Sequence, residues 1–204
     1  MIKNVVFDFG NVLVLYSPEY IASQYLEDGE DKRLIVEILF DRLYWDKLDD
    51  GSIEDEELVR LASARLPERL RPLARKIYYE WGHHLPAIPG MWELVSRIKR
   101  EYGVKAYLLS NVGTYFLNFT DEYPIFSEME KCIFSAAVGH SQPNRDMYEY
   151  LTDTCNIRPE QTLFIDDNKQ NIIGAEKLGI KGYLFDGNVA ALSEYLDKIL
   201  KKLE

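Results

Sequence analysis

A chain of 204 residues is long enough to bury a core in one domain carrying an insertion, or in two small domains. Hydrophobic residues at 47 % and charged residues at 28 % match the balance of soluble globular proteins, which excludes disordered, fibrous and low-complexity classes. The formal net charge of -10 argues against a nucleic-acid backbone or an anionic membrane as the main partner, and means that any phosphate must meet positive charge supplied locally.

Ile2 to Phe7 is β-branched and aromatic and runs into Gly10-Asn11, so it predicts a buried strand entering a loop. The run is too short to cross a bilayer, and nothing reads as a signal peptide or membrane span, so a cytoplasmic protein is expected. From about Ser17 to Leu85 helical periodicity takes over. Ser52-Ile53-Glu54-Asp55-Glu56-Glu57-Leu58 reads as a helix start with acids in its first turn, and Pro67 and Pro72 punctuate the later helices of this stretch.

After Pro89-Gly90 helices and strands alternate. Helices are predicted at Met91 to Arg100, Arg145 to Thr154 (capped by Asn144), Lys169 to Leu178 and Val189 to Leu203. Strands are predicted at Val104 to Leu109, Cys132 to Phe134, Thr162 to Ile165 and Gly182 to Phe185. The alternation predicts an α/β fold: a Rossmann-like parallel sheet core with helices on both faces, formed by 1–16 and 87–204, with 17–86 inserted as an α-helical cap. Cys132 and Cys155 show neither metal-ligand nor disulfide-scaffold spacing and are expected to be reduced core thiols.

In an open parallel sheet, ligands bind beyond the carboxyl ends of the strands. Three predicted strand ends carry polar groups there: Asp8, Ser110-Asn111 and Asp166-Asp167. Such residues also serve as loop starts and helix caps. Three carboxylates at one sheet edge repel one another unless they share a cation, and oxygen-only ligands suit magnesium.

Val5-Val6-Phe7-Asp8-Phe9-Gly10-Asn11-Val12-Leu13 resembles the first motif of the haloacid dehalogenase superfamily. Leu108-Leu109-Ser110-Asn111 resembles its second motif, and Phe164-Ile165-Asp166-Asp167 with Asn171 its fourth. Motif order, strand context and the helical insertion agree along essentially the whole chain. The likeness is greatest to sugar-phosphate phosphatases with a helical cap, some of which share the Asp-x-Gly-Asn form.

The resemblance implies that Asp8 attacks phosphorus and forms an aspartyl-phosphate, which water then hydrolyses. It implies magnesium held by Asp8, the Gly10 carbonyl and Asp167, with Asp166 a closer or water-bridged partner. Ser110 and the backbone after it would hold the phosphoryl oxygens. Asn111 would join them or cap the local turn, and Asn171 would brace the loop. The substrate would be a small phosphorylated metabolite, and the protein a monomer or homodimer.

Two positions depart from the pattern. Gly10 stands where most phosphatases of the superfamily have a second aspartate, the general acid and base, so turnover of poor leaving groups should suffer. In Val138-Gly139-His140-Ser141-Gln142-Pro143, followed by Tyr148, Gln142 replaces the usual third-motif lysine and keeps a hydrogen bond without the charge. His140, Arg145 or Lys169 could compensate, or lie on a solvated loop and helix start. The changes leave a second reading, a weak or inactive member that binds a phosphorylated ligand or partner. A 2-haloacid dehalogenase, which needs no metal, ranks below both because of Asp166-Asp167. For the cap, Tyr16, Glu19, Tyr20, Trp45, Trp81, His83 and His84 are pocket candidates by position, with core packing or a solvated corner as the alternative.

Overall fold

The computed structural model describes residues 1–200. Five parallel strands form one sheet in the order β3-β2-β1-β4-β5. They are β1 (Asn4–Phe7), β2 (Lys105–Ser110), β3 (Lys131–Phe134), β4 (Thr162–Asp166) and β5 (Lys181–Leu184). The α/β expectation holds, with strand limits moved by one or two residues.

β1 is central because it has no polar face to leave in water. Val5 and Phe7 point into one apolar layer and Val6 into the other, all fully buried. The first layer is covered by α6 (Met91–Tyr102), through Leu94, Val95 and Ile98, and by α10 (Val189–Ile199), through Leu192 and Leu196. The opposite layer is covered by α8 (Arg145–Cys155), through Met147 and Leu151, and by α9 (Lys169–Lys177), through Ile172 and Ala175. A short helix, α7 (Ser135–Val138), follows β3. The last helix ends at Ile199, with extended backbone at Leu200, before the predicted limit; residues 201–203 of that prediction lie outside the described residues.

Between β1 and α6 stand five helices: α1 (Pro18–Ser23), α2 (Glu30–Leu39), α3 (Arg42–Asp49), α4 (Asp55–Arg65) and α5 (Arg71–Glu80). α4 begins later than its sequence signal. Glu54 occupies the cap position without a side-chain bond, and the first-turn acids are Asp55, Glu56 and Glu57. Asn144 likewise sits at the cap of α8, but its amide reaches Ser141 Oγ and not the helix backbone.

The chain leaves and re-enters the sheet region along two paired crossings. The Leu15 N–H donates to Pro86 O at 2.8 Å, and the Ile88 N–H to Leu13 O at 3.1 Å. Among the described residues, no helix is long and apolar enough to cross a membrane. Both cysteines are free and half-buried.

Candidate active site

Register alone brings the first two carboxylates together. Phe7 lies opposite Ile165, so the next residues along β1 and β4 are Asp8 and Asp166. The Asp8 N–H donates to Ile165 O at 3.0 Å and carries the pairing one residue beyond β1. On the other side Phe7 lies opposite Leu108, so Ser110 ends β2 beside the same edge.

Oxygens of Asp8, Asp166 and Asp167 all lie within 4.8 Å of one another. At that separation, with an effective dielectric of about 20, each charged pair repels by roughly 3–4 kcal/mol, so protons or a cation must share the cluster. Burial first, and Asp166 next, hold the Asp8 carboxyl well above the usual carboxylate range, against the Phe9 N–H and the Ser110 hydroxyl. Burial pushes Asp166 up to about 6, although Asn168 N–H donates to Oδ1 at 2.6 Å and Asn171 Nδ2 to Oδ2 at 2.9 Å. Asp167 is also raised by burial, opposed by a hydrogen bond from the Asn11 side chain.

Asp8 Oδ1 is buried and has no hydrogen-bond partner. An orphaned carboxylate oxygen beside two further carboxylates is a donor set of hard oxygens, which fits magnesium. Asn11, in the left-handed conformation at φ 55, turns the backbone after Asp8 and accepts the Tyr16 N–H at 3.1 Å.

The third-motif segment is tied to the second by a reciprocal pair. Asn111 Nδ2 donates to Gln142 O, and the Gln142 N–H donates to Asn111 Oδ1, each at 2.8 Å. Asn111 is thus occupied as a clamp between two loops. Gln142 is buried, its Nε2 donates to Leu109 O at 3.2 Å, and its Oε1 is a second unpartnered buried oxygen.

These groups open onto a cavity of about 330 Å³. Asp8, Gly10, Ser110, Asn111, Gln142 and Asp167 form its floor, while Arg42, Trp45, Asp49 and Trp81 come from the inserted helices. Tyr16 lies within reach of both tryptophans, with ring centroids 6.0 Å from Trp45 and 5.9 Å from Trp81.

Of the cap candidates, Tyr16, Trp45 and Trp81 line this cavity; Glu19, Tyr20, His83 and His84 do not. Glu19 accepts the Ser17 hydroxyl, His83 pairs with Glu122, and His84 Nε2 meets the Tyr25 hydroxyl at 2.8 Å. The suggested cations are also elsewhere. Arg145 pairs with Glu149 at 2.6 Å on the surface, His140 lies beside Tyr150, and Lys169 is exposed. Among the described residues Arg42 is the one basic side chain lining the cavity, and the sequence offered no sign of it.

Sequence reasoning also missed Asp49. It is buried, and burial pushes its carboxyl up to about 7, with Arg42 opposing and Asp46 and Asp50 adding. Arg42 and Asp49 stand seven residues apart, two turns along one face of α3, a spacing that otherwise reads as a solvated stripe.

The site is thus a carboxylate cluster at the carboxyl edge of a parallel sheet, beneath a helical insertion. A family profile described as haloacid dehalogenase-like hydrolase matches residues 2–179, and the chain belongs to that family. It is 22 % identical over 192 residues to a D-ribitol-5-phosphate phosphatase from Bacteroides thetaiotaomicron, covering 90 % of this chain and 91 % of the relative. It is also 22 % identical over 193 residues to the sesquiterpene phosphatase astK of Aspergillus oryzae, covering 94 % of each. The fold is shared with a family enzyme from Bacteroides thetaiotaomicron solved as a complex with magnesium and inorganic phosphate. That likeness has a TM-score of 0.70 at 20 % identity and covers 92 % of this chain and 96 % of the other.

Proposed function

We propose that this chain is a magnesium-dependent phosphatase of a small phosphorylated metabolite, acting through an aspartyl-phosphate on Asp8. The observation that carries the reading is the Asp8 carboxyl, which has an oxygen within 4.8 Å of Asp166 and Asp167 oxygens and whose buried Oδ1 has no hydrogen-bond partner. A carboxylate oxygen left without a hydrogen bond is free to attack, and the neighbouring carboxyls need a cation in order to ionise with it.

Asp8, Asp167 and the Gly10 carbonyl would hold magnesium, with Asp166 braced behind them by Asn168 and Asn171. Magnesium there supplies positive charge to the cluster and to the phosphoryl oxygens. Ser110 and the backbone after it receive those oxygens. On this reading 17–86 is the cap that selects substrate, and 1–16 with 87–204 is the core that performs the chemistry. The relatives' substrates, a polyol phosphate and a terpenoid phosphate by name, support a phosphate monoester as the class. A sugar or polyol phosphate suits a cavity of about 330 Å³ with Arg42 and Asp49 among its walls.

One observation favours a second reading. Gln142 fills the third-motif position without charge, which fits a protein that holds a phosphorylated ligand and turns it over slowly. Turnover of an aryl phosphate decides between the two. Asp8→Asn is expected to abolish that turnover, and chelation to do so reversibly on re-addition of magnesium. Full activity in excess chelator would overturn the metal reading.

A further inference from the structure

If the phosphatase reading is right, the first chemical step leaves an oxygen anion that needs a proton, and Gly10 has no side chain to give one. For alkyl esters that deficit is severe, since a positioned acid contributes roughly 10²–10⁴-fold. A donor must therefore come from the other wall of the cavity.

Asp49, the last residue of α3, lines the same cavity as Asp8 and Ser110 and is only 7 % exposed. Its backbone and its neighbour Leu48 fix it against the loop that follows β2. Its backbone carbonyl accepts the hydroxyl of the fully buried Ser135, and the same Ser135 Oγ accepts the Val112 N–H at 2.9 Å. A Cβ placed on Gly113 would meet Leu48 Cγ at 2.7 Å, so α3 rests directly on that loop. The loop begins at Ser110, which lines the cavity with Asp8.

We propose that Asp49 is the proton donor to the leaving oxygen, filling from the inserted helices the role that Gly10 vacates on the core. An Asp8 oxygen bonds to phosphorus as the P–O bond to the leaving group breaks. The electron pair stays on the leaving oxygen, which takes the Asp49 proton and departs as an alcohol. In the second step the Asp49 carboxylate takes a proton from the attacking water. The water oxygen bonds to phosphorus, the bond from phosphorus to Asp8 breaks, and phosphate leaves with both aspartates restored.

The surroundings suit a group that changes charge once per half-reaction. Arg42 favours the carboxylate, Asp46 and Asp50 favour the acid, and Tyr16 and Tyr78 face it from the segment after β1 and from α5. Burial outweighs Arg42 and raises the carboxyl to about 7. The substrate class broadens accordingly. Alkyl phosphates, such as terminal-carbon sugar or polyol phosphates, come within reach alongside aryl, acyl and anomeric ones.

The test is kcat/KM, which stops at phosphorylation of Asp8, for phosphate monoesters from aryl to alkyl with magnesium present. Wild type should show a shallow dependence on leaving-group pKa. Asp49→Asn should lose about 10²–10⁴-fold on alkyl esters and tenfold at most on aryl esters. Gly10→Asp in the Asp49→Asn background should restore much of the alkyl rate, because a Cβ at Gly10 meets nothing nearer than Tyr16 Cβ at 3.5 Å. Equal losses on aryl and alkyl esters, or none, would overturn the assignment. Should Asp49→Asn fail to fold, the wild-type series decides alone: a steep dependence overturns the proposal and a shallow one supports it. A wild type that turns over no ester at all sinks the phosphatase reading itself, whereas aryl turnover lost in Asp8→Asn keeps that reading whatever Asp49 does.

Discussion

Gln142 shows how one side chain can keep the shape of a site and lose its charge. Its backbone is clamped by Asn111 and its Nε2 by Leu109 O, so the position is structurally intact, yet Oε1 has no partner and the side chain is neutral. Three carboxylates are therefore left with Arg42 across the cavity as their nearest lining counter-charge. Gln142→Lys should raise inorganic-phosphate affinity and aryl phosphatase kcat/KM by roughly tenfold, the effect of about 1.4 kcal/mol from one added charge pair in a half-buried setting. Competition by phosphate against an aryl ester measures both. A rate unchanged or lowered would mean that Arg42 already serves, and Arg42→Gln becomes the informative variant.

The helices of the insertion differ in how much of the cavity they line, and α3 supplies Arg42, Trp45 and Asp49. Ser135 joins α3 to the core by accepting from Val112 and donating to Asp49 O, with no exposure to water. Ser135→Ala leaves a buried N–H and a buried carbonyl unpaired and should cost about 1–3 kcal/mol of stability, read by denaturant unfolding. It should also lower kcat/KM more on alkyl than on aryl esters, because the seat of Asp49 loosens. The strands were legible beforehand, since β1, β2 and β4 are near-continuous apolar runs that lead to Asp8, just past β1, and to Ser110 and Asp166 at the ends of β2 and β4. Arg42 and Asp49 were not. Nothing in a polar stripe on an eight-residue helix tells which neighbour it will face; that is set by Leu48 packing onto Gly113, some sixty residues on. The misplaced candidates fail for the same reason: Glu19 and His84 meet Ser17 and Tyr25 and do not line the cavity, and sequence position does not give those neighbours.

The molecule as a whole folds against the electrostatics of its own site. Asp8, Asp166 and Asp49 are all raised above their unfolded values, the last two to about 6 and about 7, so the native state binds more protons than the unfolded chain from about pH 4 to about pH 7. Their contribution to stability is full below the unfolded carboxylate range and is lost as pH rises through 6 and 7. Surface ion pairs such as Asp31–Arg69 and Asp41–Arg65 depress their carboxyls and matter only at lower pH, so they leave this window alone. If the cluster binds magnesium as proposed, the cation replaces the lost protons. At about a hundredfold excess over its Kd it should add about 2.7 kcal/mol near pH 8, or about 5–10 °C in Tm for a chain of this size, and almost nothing near pH 5. Thermal melts in magnesium and in chelator at the two pH values measure the difference; an equal shift at both would place the cation away from these carboxylates.

The sheet order also dictates when the site can exist. β1 is bonded on both sides, to β2 about a hundred residues later and to β4 about a hundred and sixty later. During synthesis the strand that leads to Asp8 therefore emerges before both of its partners, and its second hydrogen-bonding edge stays open until β4, some hundred and sixty residues later, has been made. Loop closures of that length slow folding and lengthen the exposure of unpaired edges to other chains. Asp8 meets Asp166 only when β4 docks, so the repulsion between them is deferred to a late stage of assembly. A growing chain halted between β3 and β4 would hold Asp8 and half of its strand's pairing, but neither Asp166 nor Asp167, and so would have neither the electrostatic penalty of the cluster nor the donor set proposed to hold a cation.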